Sequence, residues 1–160
     1  MIDSARVTHD EEYRMWGLLR QVSDGMLRAR DEELKPFGIS AVQFGVLYVL
    51  KMLEKADMPP TPSEISRWLF REPHTVSALL NRMEKQGLVR SLRNSPGRGK
   101  IRVVLTEKGE EVYRAQNKER RVIPTILESL SAEERKQLGA FLERLRKKTL
   151  EALVVEPPLP

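Results

Sequence analysis

The stretch TPSEISRWLFREPHTVSALLNRMEKQGLV, residues 61–89, constrains the fold of this chain more than any other, because it fixes two helix starts close together. A proline has no N–H to donate and is tolerated only where a helix does not need one, in its first turn. Pro62 follows a Thr61 cap, and Glu64 lies three residues after that cap, which predicts a capping box and a helix to about Leu69 with Ile65, Trp68 and Leu69 inward. Pro73 opens a second helix that runs to about Gln86 and ends at Gly87. In that helix Val76, Leu79, Leu80 and Met83 form one apolar stripe. The opposite side carries His74, Ser77, Ala78, Asn81 and Lys85, with Arg82 on its flank.

Two short helices joined by a tight turn match a helix-turn-helix, whose second helix enters the major groove and meets base edges with its early residues. Here these are His74, Thr75, Ser77 and Ala78, with Asn81 further along. Ser and Thr serve several bases and Asn pairs best with adenine, but the helix tip has no arginine for a bidentate contact to guanine. An isolated amphipathic helix would simply turn this side to water. The residues after Gly87 argue against that reading. Leu88–Arg93 and Ile101–Leu105 are β-prone flanks around Asn94–Lys100, which holds one proline and two glycines. That pattern is a hairpin, or wing, with a basic tip of Arg98 and Lys100 suited to a narrow minor groove. A phosphate-cradling glycine loop would need a helix directly after the glycines, and here a strand comes next.

Charge is concentrated in the same place. The net charge is +5, yet residues 61–105 hold nine basic residues against three acidic ones, so all the excess lies in this segment. That is the footprint of a surface that meets a polyanion, the alternative being a solvated basic face. Enzyme chemistry has little to build on. His9 and His74 are the only histidines, and Glu11-Glu12, Glu32-Glu33, Glu110-Glu111 and Glu133-Glu134 are adjacent pairs whose members do not share a helix face. No catalytic residue, metal site or cofactor is therefore assigned. The absence of cysteine removes disulfides, thiolate ligands and thiol redox switching. Without a signal-peptide pattern or a long apolar run, the chain reads as cytoplasmic, with no membrane partner.

The run TVSALLNRMEKQGLV, a hairpin, then VVLTEKGEEVY resembles the MarR family, the multiple-antibiotic-resistance-type winged-helix regulators. ELKPFGISAVQFGVLYVL and LSAEERKQLGAFLERL extend the resemblance over about residues 10–150. The fold class is thus mainly α with a small β-hairpin wing: a winged helix-turn-helix flanked by long dimerisation helices. Residues 1–39 are the N-terminal dimerisation helix and its approach, and residues 40–105 the DNA-binding lobe with its wing at about 88–105. Residues 106–150 are the C-terminal dimerisation helices and 151–160 a flexible tail.

The resemblance implies a homodimer on a pseudo-palindromic operator in double-stranded DNA, usually a repressor, released by a small aromatic or anionic effector. Arg93, Arg98 and Lys100 of the wing, with Arg82 and Lys85, would position the protein on phosphate. Trp16, Arg20 and Tyr48 would line the effector site by position, although Trp16 and Tyr48 also fit a plain core. In this chain Gly97 and Gly99 stand where many members have an Asp and an Arg that brace the wing, and Ala78 stands where many have a basic residue. The alternative of another class is a winged-helix interaction module whose basic surface docks an acidic protein partner.

The flanks read as a helix over 10–34, a break at Gly38 and Ser40, and a buried helix through Phe44, Leu47, Tyr48 and Leu50. A charged helix capped by Thr106 then runs past Arg120 to a break near Pro124. A last helix opens on a Ser131–Glu134 capping box.

Overall fold

A computed structural model describes residues 4–93 and 101–153. The chain divides into two compact units, residues 1–41 and 42–160. In the first, helix α1 (Ser4–Leu34) is followed by a single 3-10 turn at Lys35–Phe37. Gly38, at φ +68, closes that turn with its N–H on the Lys35 carbonyl, 3.0 Å away. Left-handed backbone of this kind carries no penalty for glycine, which explains the predicted break. The Ala41 N–H, the first of α2, is accepted by Asp31 Oδ1 at 2.6 Å. Helix α1 starts before the expected residue 10, because the apolar period that signals it begins only at Tyr13. Along it Tyr13, Trp16, Leu19, Val22 and Leu27 are all exposed.

The second unit is built on α2 (Ala41–Lys55), α3 (Pro62–Leu69), α4 (Pro73–Lys85), strands β1 (Val89–Arg93) and β2 (Ile101–Leu105), then α5 (Glu107–Glu119), α6 (Val122–Leu127) and α7 (Ala132–Leu153). Its core joins Val46, Leu47, Leu50 and Leu53 of α2 to Ile65 of α3, to the whole predicted stripe of α4, and to Leu88, Val89 and Val103. Each such side chain contributes roughly 1.5–3 kcal/mol on burial. Trp68 and Leu69 are only half-buried, and Ser66 takes the second buried position of α3. Tyr48, placed by its apolar run on a buried helix, is 40 % exposed, while Phe44 stacks on Tyr113 with centroids 5.8 Å apart.

The strands are antiparallel and pair Val89 with Leu105 and Ser91 with Val103. The Val103 N–H also reaches the Pro60 carbonyl at 2.8 Å, which fastens the hairpin to the connection before α3.

Two capping predictions turn out differently. Ser131 and Glu134 form the complete box: the Glu134 N–H bonds Ser131 Oγ at 3.2 Å, and the Ser131 N–H bonds Glu134 Oε2 at 2.7 Å. That backbone bond, then the hydroxyl, holds the Glu134 carboxyl below its ordinary range. At Thr61 only half the box forms. Thr61 Oγ1 accepts from the Glu64 N–H, but the Thr61 N–H goes to the Pro59 carbonyl and the Glu64 carboxylate pairs with Arg67 at 3.1 Å.

The break expected at Pro124 comes earlier, at Arg120, which is extended at φ −61 and ψ 123. A proline ring collides with the carbonyl four residues before it, and for Pro124 that residue is Arg120. Pro124 itself then sits in the first turn of α6, where its missing N–H costs nothing.

Lys51 links α2 to α5 with Nζ 2.5 Å from Glu54 and 2.9 Å from Glu110. The Glu54 bond, then the Glu110 bond, raises its pKa. A raised lysine pKa means stability fully present below the ordinary lysine range and lost as pH climbs through the folded value. Lys51→Met is expected to cost about 1 kcal/mol at neutral pH in urea unfolding, with the gap to wild type closing in strong alkali as the lysine loses its proton. A gap that closes instead on acidification to neutrality would exclude this ion pair as its source.

Candidate nucleic-acid interface

Helix α4 is anchored on one side and open on the other. Val76, Leu79, Leu80 and Met83 are buried, whereas His74, Ser77, Ala78, Asn81, Arg82 and Lys85 are exposed and Thr75 is half-buried. The exposed residues make two rows at the spacing of adjacent turns: His74, Ala78 and Arg82 in one, Ser77, Asn81 and Lys85 in the other. Ser77 departs from its sequence role in one respect. Its Oγ donates to the Pro73 carbonyl at 2.9 Å, so towards a base edge the hydroxyl is left as an acceptor.

The turn into α4 is rigid. Ser66 is buried, its Oγ donates to the Arg71 carbonyl at 2.5 Å, and the Arg71 N–H returns to the Ser66 carbonyl at 3.2 Å. Arg71 is exposed beside the helix start, a cation that the charge count included but the site prediction did not.

The far end of α4 is latched to the residues after the hairpin. The Thr106 hydroxyl donates to the Gly87 carbonyl at 2.5 Å while accepting from the Gly109 N–H at 3.1 Å. Lys108 Nζ bonds the Gln86 carbonyl at 2.8 Å, which places a cation at the negative end of the helix. Glu84 of α4 accepts the Ser91 N–H of β1 at 2.8 Å. In the sequence, LTEKG is only a mark of resemblance; in the fold, its Thr106, Lys108 and Gly109 set how the chain after the hairpin packs against the end of α4. The bonds of Thr106 and Lys108 to the end of α4, with the Gly109 N–H closing onto Thr106, are the physical content of that motif.

On the hairpin, alternation puts Arg90 and Arg102 on one face and Arg93 on the other, all exposed. Arg98, Lys100, Gly97 and Gly99 lie outside the described residues. Exposed cations therefore stand before α4, along it and on the strands after it, an arrangement suited to a phosphate backbone on both sides of a groove.

The residues named for an effector belong to both units. Trp16 and Arg20 are neighbours in the first, with the guanidinium 5.6 Å from the indole centroid and 3.7 Å from Asp24. Tyr48 belongs to the second. A cleft of about 450 Å³ in the second unit is lined by Leu50, Glu54, Met58, Arg102 and Val104 among others, and by none of the three. Among the described residues no cluster of His, Cys, Asp or Glu is arranged to hold a metal, and no single helix is long and apolar enough to cross a membrane.

Comparison with known proteins places this geometry. Residues 37–100 match the model of the MarR family. The chain is 32 % identical over 103 residues to the HTH-type transcriptional regulator YwoH of Bacillus subtilis (strain 168), covering 62 % of this chain and 72 % of that one. Among solved structures, the organohalide-sensing transcriptional regulator RdhR-CbdbA1625, in its 2,4-dichlorophenol-bound form, superposes with a TM-score of 0.76 at 31 % identity, over 87 % of this chain and 81 % of its own. Staphylococcus aureus MepR in complex with DNA superposes with a TM-score of 0.71 at 25 % identity, over 82 % and 95 %.

Proposed function

The chain belongs to the MarR family of transcriptional regulators, and from that membership we propose that it is a cytoplasmic homodimeric repressor, released from a pseudo-palindromic operator by a small aromatic or anionic ligand. It is a regulator and not an enzyme. The observation that carries the DNA-binding part is the sidedness of α4: a buried stripe against a polar face with cations before, along and after it. His74, Thr75, Ser77, Ala78 and Asn81 face the base edges; Arg82, Lys85 and Arg93 hold phosphate, with Arg98 and Lys100 at the wing tip. A MepR structure holds DNA, which supports the same use of this fold. The similarities do not favour docking of an acidic protein partner.

Residues 40–105 form the DNA-binding lobe in this reading, and residues 1–39 and 106–150 supply dimerisation. Exposed Tyr13, Trp16 and Val22 on α1 and Phe141 and Leu145 on α7 are the apolar surface a second copy would cover. The effector assignment of Trp16, Arg20 and Tyr48 rests on their positions in the family, and the 2,4-dichlorophenol-bound form of the organohalide-sensing relative supports an aromatic ligand. An anionic ligand would take the place of Asp24 on Arg20. Ligand binding would favour dimers whose recognition helices are wrongly spaced for half-sites one helical turn apart, about 34–36 Å.

Fluorescence anisotropy on the duplex upstream of the coding region, against its scrambled version over a salt series, tests the proposal. The native duplex is expected to bind more tightly. Arg82→Ala and Lys85→Ala each lower the log–log salt slope by about 0.9 per lost phosphate contact, doubled in a symmetric dimer. Equal binding of both duplexes after selection of the best genomic fragment would overturn sequence-specific regulation.

A further inference from the structure

Phe70 is the residue whose position the fold explains least. It caps α3 with left-handed backbone, φ +52 and ψ 44, where glycine or asparagine normally sits, and its side chain is 48 % exposed. A bulky residue there is strained, and exposing a phenyl to water recovers little of the cost. The strain persists because the turn is held from both sides: the Phe70 N–H bonds the Arg67 carbonyl at 3.3 Å, and Ser66 holds both backbone groups of Arg71. The fold maintains a strained, exposed aromatic on this turn, and strain kept in this way points to a functional use of the side chain. The turn leads, through Arg71 and Glu72, into the first residues of α4, the end of a recognition helix that meets the bases.

We propose that Phe70 is a specificity-determining residue, whose ring packs on the 5-methyl group of a thymine at the edge of each operator half-site. This rests on the DNA-binding reading of α4. The chemistry is the apolar contact by which the major groove distinguishes thymine, the one base edge there that presents a methyl group. It also supplies what α4 lacks: a helix tip without arginine makes no strong guanine contact, and an apolar anchor beside it restores discrimination without adding charge.

The test begins with a duplex selected from random genomic fragments by the wild-type homodimer. Each thymine is then replaced in turn by deoxyuridine, which removes only the methyl group. One thymine per half-site is expected to cost wild type about threefold in affinity, and about tenfold when both are replaced. Phe70→Gly and Phe70→Asn, which both accept left-handed backbone, are expected to bind the unmodified duplex about tenfold more weakly and to be indifferent to those replacements. Phe70→Gly is also expected to melt about 2–4 °C higher, because the strain is released. Higher stability with weaker binding is a combination that a purely structural residue does not produce. If both variants bind as wild type does, or keep its sensitivity to every methyl group, the thymine contact is overturned. If wild type selects no duplex, the DNA-binding reading itself fails and this inference with it.

Discussion

Gly109→Ala is expected to destabilise the protein by about 2 kcal/mol or more, although it places the best helix former inside a helix. A Cβ at Gly109 would lie 2.1 Å from the Leu88 carbonyl oxygen and 3.1 Å from its carbon, with Leu105 Cδ2 at 3.2 Å. That oxygen cannot move aside cheaply. It accepts the Thr106 N–H at 3.1 Å and the Thr106 hydroxyl at 3.2 Å, while the Leu88 N–H is tied to the Met83 carbonyl at 2.9 Å. Alanine returns at most about 1 kcal/mol of helix propensity. Overpacking costs about 1–3 kcal/mol and a displaced buried carbonyl about as much again. The net loss corresponds to a fall of roughly 4–8 °C in Tm for a chain of this size.

Gly139→Ala on α7 is the matched control, since nothing lies within 4 Å of its Cβ. It is expected to hold or raise Tm. Calorimetry of the two variants separates close packing from propensity, and equal melting would mean that α5 does not sit against Leu88 as described. The same substitution carries a functional consequence. Gly109, Thr106 and Lys108 fix the wing to the end of α4, so the variant is also expected to bind its operator more weakly at temperatures where it remains folded.

The contrast between α4 and its latch shows what was legible in the sequence. Pro73, the stripe of Val76, Leu79, Leu80 and Met83, and Gly87 obey rules that operate within a few residues, and the helix, its buried side and its exposed side all derive from them. The two strands were legible for the same reason. Lys51 with Glu110, Thr106 with Gly87 and Gly109 with Leu88 join residues far apart in the chain, and no local period records which pairs will meet. Capping signals were ambiguous where a backbone acceptor competed: Thr61 gives its N–H to Pro59, so Glu64 is left to Arg67, whereas Ser131 has no such rival and completes its box.

Tyr48 fell in an apolar run but on its outward side, which a run without a clear period does not reveal. Phe70 was invisible for another reason. Residue type argues against left-handed backbone there, and bonds across the turn, from the Phe70 N–H to Arg67 and between Ser66 and Arg71, hold it.

Ala78→Glu is expected to reduce operator affinity by about a hundredfold or more while leaving stability within about 0.5 kcal/mol of wild type. Ala78 is exposed on α4 between His74 and Arg82, one turn from each, so no core contact is lost and a glutamate suits the helix. The new carboxylate acts on binding twice. In the proposed interface it faces the phosphates and the acceptor-rich groove directly, and from four residues before Arg82 it pairs with that guanidinium and withdraws it from phosphate. In the proposed dimer each half-site then loses on the order of tenfold, and the two losses multiply. Ala78→Gln, of nearly the same size without the charge, separates crowding from electrostatics and is expected to lose far less. The gap between the two variants should narrow as salt rises, since the charge effect is screened and the steric one is not. Anisotropy titrations at low and high salt, with thermal melts of all three proteins, measure each part. Wild-type affinity in the glutamate variant would remove α4's exposed face from the DNA interface.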